Sequence, residues 1–187
     1  MNRAEALESI RENVESEKMV RHMLATEAIL RALAHRLGED EMEWGLTGLV
    51  HDIDIELIEG DMSIHGKLGA DLVREMGASE TMAHAVLCHN PRHKIARETR
   101  LDTALICADA LPRIIMATAQ AHPDKKLALV NTGMIEETLR DEKLASEADR
   151  DRIALCADLG LSREEFIELG LGALQKIAPS LGFEGVS

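Results

Sequence analysis

The chain has 187 residues, enough for one domain with a sizeable core, and carries 34 acidic against 21 basic residues, a formal net charge of −13. This charge argues against a DNA, RNA or anionic membrane surface, which would need a basic face, although a small phosphorylated ligand needs only a local positive centre. Aromatic residues make up only 2% of the chain, so the core must be built from aliphatic side chains, which favours helices over sheets.

Helical periodicity dominates the N-terminal part of the chain. The spacing of apolar residues predicts helices over 3–14, 17–37 and 40–52, the second of which ends at Gly38. An acidic stretch that contains a glycine, 53–63, predicts a loop after them.

Two serines then indicate the starts of shorter helices. Ser63 is expected to cap a helix over 64–76, and Ser79 is expected to cap one over 80–89. An Asn-Pro pair follows the second of these helices and predicts its end.

The rest of the chain is also predicted to be helical. A long helix over 99–121 should be kinked at Pro112, because proline lacks a backbone donor and clashes one turn back. Three or four more helices are predicted over 124–178, and the sequence SREE at 162–165 has the spacing of a capping box. We therefore predict an all-α protein with a single domain over 1–187.

The cysteines and the N-terminal segment indicate the cellular compartment in which we expect the protein. Cys88, Cys107 and Cys156 are scattered and form no Cys-x-x-Cys pair, which is typical of small buried residues in a reducing compartment. The segment MNRAEALESIREN is charged and has no apolar core of the signal-peptide type. No stretch approaches the roughly 20 apolar residues of a membrane-spanning helix. We expect a cytoplasmic protein, and the oligomeric state stays open.

Several ionisable residues stand where the helical pattern favours apolar ones. They lie in MVRHMLA, GLVHD and TALICADALP and are His22, His51, Asp52 and Asp109. An ionised carboxylate at Asp109 is unfavourable in such surroundings unless it is paired or binds a metal, and Arg113, one turn on, is a local candidate partner.

Each of these residues also has an ordinary structural explanation. His22 alone could be a core or boundary histidine, and the His51-Asp52 pair alone could end a helix and start a turn. Together, however, two imidazoles and two carboxylates on three helices can converge on one point. Such a mixed nitrogen and oxygen set suits a divalent transition metal: Mn, Fe, Co, Ni or Zn.

Five segments in this order resemble the HD superfamily of metal-dependent phosphohydrolases, and in particular its HDIG subgroup. They cover about residues 15–120 and are RHMLATEAILRALA, WGLTGLVHDID, HGKLGADLVREMG, AVLCHNPR and LICADALPRII. The resemblance implies an HD-type helical bundle over about 15–122, and the helices predicted after it form a C-terminal helical lobe over about 124–187. It also implies a set of four metal ligands: His22, His51, Asp52 and Asp109.

The chain departs from the subgroup at two places. Asp54 stands where the subgroup's motif has glycine, and we expect both Asp54 and Glu56 to be solvated. Relatives with two metals use the following two helices for a second site, and the matching residues here are His65 and His89. Those relatives have a His-His pair where this chain has Cys88-His89. The resemblance therefore leaves open whether the chain binds one metal ion or two. His65 and His89 would be ligands of a second ion or would lie near the first ion without binding it.

The remaining histidines are expected to take no part in metal binding. His84 lies about 140° around an ideal helix from His89, so both cannot easily face one metal. His35, His93 and His122 sit beside charges or a proline and are expected to be exposed.

The resemblance implies hydrolysis of a small phosphate ester, with a nucleotide as the first candidate, by a phosphomonoesterase or phosphodiesterase reaction that uses a metal-activated water. Asp52 would be both a ligand and a proton acceptor, and Lys67 would join it in catalysis. We expect the mouth for substrate near the loops 53–64 and 90–98. The side chains that could reach a phosphate from there are Lys67, Asn90, Arg92 and Lys94.

Two other functions remain open at this point. One is an HD module that binds metal and a nucleotide or partner without turnover. The other is a di-iron oxygenase of the kind found in a minority HD branch, which would require an intact second site.

Overall fold

The part of the chain that the computed structural model describes, residues 1–183, is mainly helical. No strand occurs within these residues, so the predicted all-α class is confirmed. The α-helices are α1 (Arg3–Asn13), α2 (Glu17–Leu37), α3 (Glu41–Val50), α4 (Lys67–Glu75), α5 (Glu80–Cys88), α6 (Arg100–Ala121), α7 (Thr132–Arg140), α8 (Glu147–Ala154) and α9 (Arg163–Lys176). Short 3-10 turns also occur, at Pro91–His93, Leu127–Leu129, Leu155–Leu159 and Ala178–Leu181.

Local signals set the ends of α2 and α5 where the sequence predicts them. Ser16 accepts a hydrogen bond from the backbone of Met19 at the start of α2, and Gly38 ends that helix with a left-handed φ of 73°. Glycine adopts this conformation without a steric penalty, which explains the sharp stop. Ser79 caps α5 by accepting from the backbone of Met82.

The start of α4 was predicted too early, and Ser63 does not cap it. The helix begins directly after Gly66, and residues 51–66 form successive turns. The N–H groups of Gly66 and Gly69 donate to the carboxylate of Asp54 at 2.7 and 2.8 Å. A carboxylate distant in sequence therefore caps α4 in place of the local serine.

α6 is the central helix of the bundle. It begins with a capping box of Thr99 and Asp102 and continues through Pro112 as one helix. By length and composition α6 could cross a membrane, which corrects our expectation that no stretch approaches this limit. However, 61% of its most apolar window is buried, and the core helix of a globular bundle passes the same test.

Two groups of buried apolar side chains form the core. The larger group joins α2, α6 and α9 and includes Ile29, Leu111 and Phe166. The smaller group joins α1, α3, α4 and α5 and includes Ile10 and Leu49.

The C-terminal helices share the larger group instead of forming a core of their own. α9 packs against both α2 and α6. A side chain added at Gly170 of α9 would come within 2.5 Å of Leu111, so α9 and α6 approach closely there. The predicted lobe over about 124–187 is thus continuous with the bundle up to residue 183, and 184–187 lie outside the described part of the chain.

The predicted capping box at 162–165 forms in one direction only. Ser162 accepts a hydrogen bond from the backbone of Glu165 at 3.1 Å. The Glu165 carboxylate does not return to Ser162 but pairs with Arg36 of α2 at 2.7 Å. Its side chain therefore ties α9 to α2.

Candidate metal centre

The packing of α2, α3 and α6 brings the four predicted ligands together. One ligand atom from each of them lies within 4.8 Å of every other, and we call His22, His51, Asp52 and Asp109 the first group. The shortest distance, 2.9 Å, joins His22 Nε2 to Asp109 Oδ1. His51 Nε2 lies 3.3 Å from Asp52 Oδ2 and 3.5 Å from Asp109 Oδ1.

A hydrogen bond of His51 orients its imidazole ring so that Nε2 faces the other ligands of this group. Its Nδ1 lies 2.8 Å from the carbonyl oxygen of Gly48, to which it donates, so in the neutral ring Nε2 carries the lone pair. The side chain is fully buried, and Nε2 has no hydrogen-bond partner among the described residues. A buried polar atom without a partner is unfavourable, and a cation between the imidazoles and the carboxylates would satisfy it. The donor set therefore fits a divalent metal.

A second group consists of Asp52, His65 and His89. Asp52 Oδ1 lies 3.4 Å from His65 Nε2 and 3.3 Å from His89 Nε2. Since Oδ2 faces His51, the single carboxylate offers one oxygen to each group.

The Nε2 atoms of the two imidazoles in the second group face each other, and a positive charge beside them would stabilise this arrangement. His65 Nδ1 lies 2.8 Å from Asp54 Oδ1, and His89 Nδ1 lies 2.5 Å from the carbonyl oxygen of Val86. When both Nδ1 atoms donate, both Nε2 atoms carry lone pairs, yet these atoms are only 3.1 Å apart. A cation beside Asp52 would remove that repulsion, so this group also fits a metal ion.

The comparison with family models identifies the chain's relatives. The model of the HD domain matches residues 19–152, which is more than half of the chain. The chain belongs to the HD family. HD domains bind divalent metals and are generally metal-dependent hydrolases, which agrees with the two groups described above.

The chain is also similar to part of a longer curated protein. The chain is 27% identical over 96 residues to ribonuclease Y of Oleidesulfovibrio alaskensis, a stretch that covers 51% of this chain and 18% of that protein. The HD protein thus matches less than a fifth of the length of this relative. No solved structure gives a significant match.

Asp54 and Glu56 are not solvated as we expected. Asp54 is fully buried and accepts from His65, Gly66 and Gly69. Burial alone would raise the pKa of Asp54, but these hydrogen bonds hold it below its usual value. The half-buried Glu56 accepts from the backbone just before α2 at 2.8 and 2.9 Å. Because residues 51–66 fold back on the bundle, both acids bind the starts of helices.

The partner of Asp109 is an arginine that the sequence did not single out. Arg152 of α8 places Nη2 2.6 Å from Asp109 Oδ2, whereas Arg113, the expected partner, pairs with Asp149. Burial would raise the pKa of Asp109, but the hydrogen bond with His22 and the charge of Arg152 hold it well below its usual range. Arg152 also donates to the carbonyl oxygen of His89 at 3.3 Å, so it contacts both groups.

Cys88 takes no part in either group. Its Sγ lies 3.6 Å from the carbonyl oxygen of Ile95, and burial raises the pKa of the thiol to about 11. Because this thiol lies outside both groups of candidate ligands, it does not replace the missing histidine. All three cysteines are free and buried.

The other histidines lie outside both groups. His84 Nδ1 is 3.1 Å from Asp102, and His35 is exposed beside Glu41. His93 and His122 were expected to be exposed but are half-buried. His93 is covered because the Pro91–His93 turn folds back until Nε2 lies 2.7 Å from the carbonyl oxygen of His65.

The side chains that were predicted to contact a phosphate do not line the cavity that opens on the first group. Lys67, Arg92 and Lys94 are exposed. Asn90 is buried, and its amide donates at 2.9 Å to the carbonyl oxygens of Met62 and His65, so it holds the loop in place.

The cavity lies in a different place from the loops near which we expected the mouth for substrate. It has a volume of about 890 Å³ and is lined by His22 and Asp109 together with residues of α2, α6, α8 and the segment 181–183. None of its lining residues comes from the loops 53–64 or 90–98. Asp54 and Asn90 hold those loops against the second group.

Proposed function

We propose that this HD protein is a metal-dependent phosphohydrolase that acts on a small phosphate ester, with a nucleotide as the first candidate. The observation that carries the proposal is the convergence of three imidazole Nε2 atoms on the carboxylate of Asp52: the unpartnered Nε2 of His51 and the facing Nε2 atoms of His65 and His89. Within the HD family such a donor set supports hydrolysis more directly than a structural role.

The first group would hold one ion and the second group another. The mixture of imidazole and carboxylate donors, without a thiolate, favours Mn, Fe, Co, Ni or Zn. A bound ion of this kind offsets charge on phosphoryl oxygens and lowers the pKa of a coordinated water.

The role of Asp52 depends on how many ions bind. With one ion in the first group, Asp52 Oδ1 would remain available to accept a proton from the attacking water. With both groups filled, each of its oxygens would face an ion. Lys67, which we expected to assist catalysis, is exposed at the start of α4 and does not line the cavity, so the proposal does not rest on it.

The net charge of the chain limits the class of phosphate ester that we propose as the substrate. The name of ribonuclease Y keeps phosphodiesters among the candidates, but the net charge of −13 argues against a long nucleic-acid surface on this chain. We propose a small substrate in the cytoplasm, since the buried free thiols suit a reducing compartment.

The test combines metal analysis with turnover. Wild type, His51→Ala and, as a matched control, His84→Ala would be assayed with bis(p-nitrophenyl) phosphate and p-nitrophenyl phosphate, with added Mn²⁺ or with chelator. We expect turnover that requires the metal, is lost in His51→Ala and is kept in His84→Ala. Bound metal without hydrolysis of these esters or of nucleotides would support the binding module, and iron with oxygen consumption would support the oxygenase.

A further inference from the structure

The cavity beside the first group is more positive than the acidic chain around it. Five cations line it against three carboxylates, although the whole chain has a net charge of −13. The cations are Lys18, Arg21, Arg113, Lys125 and Arg152, and the carboxylates are Glu17, Asp109 and Asp149. Two of the carboxylates are neutralised by their pairing with arginines of the same cavity, so an anion is favoured there.

Arg152 connects this positive lining to the candidate metal ligands. Its side chain is 28% exposed and lines the cavity while it holds Asp109 Oδ2. A guanidinium has five N–H donors in a rigid fork. The contacts to Asp109 and to the carbonyl oxygen of His89 use only its Nη2, so other donors remain for a phosphate.

Another part of the cavity wall is apolar. Met19 of α2, Met116 of α6 and Leu181 and Phe183 near the chain's end contribute to it. The volume of about 890 Å³ lies in the upper part of the range for small-molecule sites, about 300–1,000 Å³. Such a cavity is much larger than a phosphate group requires.

We propose that this cavity binds an organic phosphate of nucleotide size, with its phosphate beside His22, Asp109 and Arg152 and its organic group against Met19 and Met116. The inference rests on the proposed function and names its substrate class. It assigns substrate binding to α2, α6 and α8, so the C-terminal part of the chain supplies one side of the site. The exposed cations Lys67, Arg92 and Lys94 are then outside it.

The experiment measures binding directly, separately from turnover. Dissociation constants of AMP, GMP, CMP, UMP and inorganic phosphate would be measured by titration calorimetry for wild type, Arg21→Ala, Met116→Glu and Lys67→Ala. Lys143→Ala serves as the control, since Lys143 is exposed in another part of the surface. Metal content and thermal unfolding would be measured for every variant, so that lost binding is not confused with lost folding.

We expect at least one nucleoside monophosphate to bind the wild type at least ~10-fold more tightly than inorganic phosphate does, because the apolar wall adds contact area. Arg21→Ala and Met116→Glu should each weaken that binding ~10-fold, with metal content unchanged. Lys67→Ala and Lys143→Ala should leave it unchanged.

The results distinguish this inference from the proposed function. Nucleotide binding that depends on Arg21 and Met116, without hydrolysis, would keep the inference and reject the hydrolase. Turnover with binding that is weakened by Lys67→Ala, but not by Arg21→Ala or Met116→Glu, would keep the hydrolase and overturn the inference. Failure of all four nucleotides to bind the wild type at millimolar concentration would also overturn the inference.

Discussion

The two ligand groups share Asp52 but differ in how they meet solvent. In the first group the side chains of His22 and Asp109 are 19% and 13% exposed and line a large cavity. In the second group those of His65 and His89 are 6% and 3% exposed. The cavity therefore leaves the first group open to solvent, whereas the second group is almost closed to it.

The groups also differ in what supports them. In the first group, His22 and Asp109 lie on the long helices α2 and α6, His51 and Asp52 directly follow α3, and Arg152 of α8 holds Asp109. The second group depends on the turns of residues 51–66, which Asp54 and Asn90 fasten to α4 and α5. The first group is thus built into the core, and the second depends on a few buried hydrogen bonds.

The largest expected effect comes from Asp54→Ala. This change leaves His65 Nδ1 and the N–H groups of Gly66 and Gly69 without their acceptor, which should destabilise the metal-free protein by about 3–5 kcal/mol. Urea unfolding would measure the loss, with Glu59→Gln, a change at an exposed acid of the same turns, as the control. A loss below about 1 kcal/mol would show that Asp54 does not hold the second group.

Ligand removal should separate the two groups. His89→Ala should lose the ion of the second group and keep that of the first, because only Asp52 is common to both. His22→Ala should do the reverse. Metal content by mass spectrometry checks this difference, and equal losses from both variants would mean that the two groups form one inseparable site.

A smaller effect is expected where Arg152 supports Asp109. Arg152→Met should weaken metal binding by roughly 10-fold, the effect typical of a residue that orients a ligand, while Arg152→Lys should keep part of it. Asp151→Ala, an exposed change on the same helix, is the control. Competition with a chelator gives the affinities, and an unchanged value in Arg152→Met would exclude this supporting role.

The smallest effect concerns Asp149, which holds α8 against α6. Burial would raise the pKa of Asp149, but Arg113 and Ser146 hold it below its usual value. A depressed pKa stabilises the fold above the unfolded value of about 3.9 and loses that contribution as the pH falls through the folded value. Asp149→Asn should therefore cost about 1 kcal/mol near neutral pH and progressively less below about pH 4. Unfolding of the variant and of Asp151→Asn across pH measures it, and a difference that grows in acid would contradict the argument.

The sequence predicts those parts of the fold and the site that depend on local patterns. Helix periods and capping residues place α2 and α5, and polar residues in apolar runs indicate the first group. Asp54 was misplaced because its burial depends on turns that fold back over α4, which no local pattern indicates. Arg152 was missed because its partner lies on another helix, distant in sequence.

The position of the cavity could not be predicted for the same reason. Its walls come from the start of α2, the middle of α6, α8 and the segment 181–183. These segments become neighbours only when α2 and α8 pack on α6 and the Ala178–Leu181 turn packs on α2. The loops 53–64 and 90–98, which sequence reasoning favoured, are instead held by backbone hydrogen bonds to buried side chains.

The most direct test of the metal centre is the metal content per chain of the purified protein, wild type against Asp109→Ala, with His84→Ala as control. The arrangement of lone pairs around Asp52 predicts bound divalent metal in the wild type and in His84→Ala, and loss of the first group's ion in Asp109→Ala. Absence of metal from all three proteins, even after incubation with Mn²⁺ or Fe²⁺, would contradict the account.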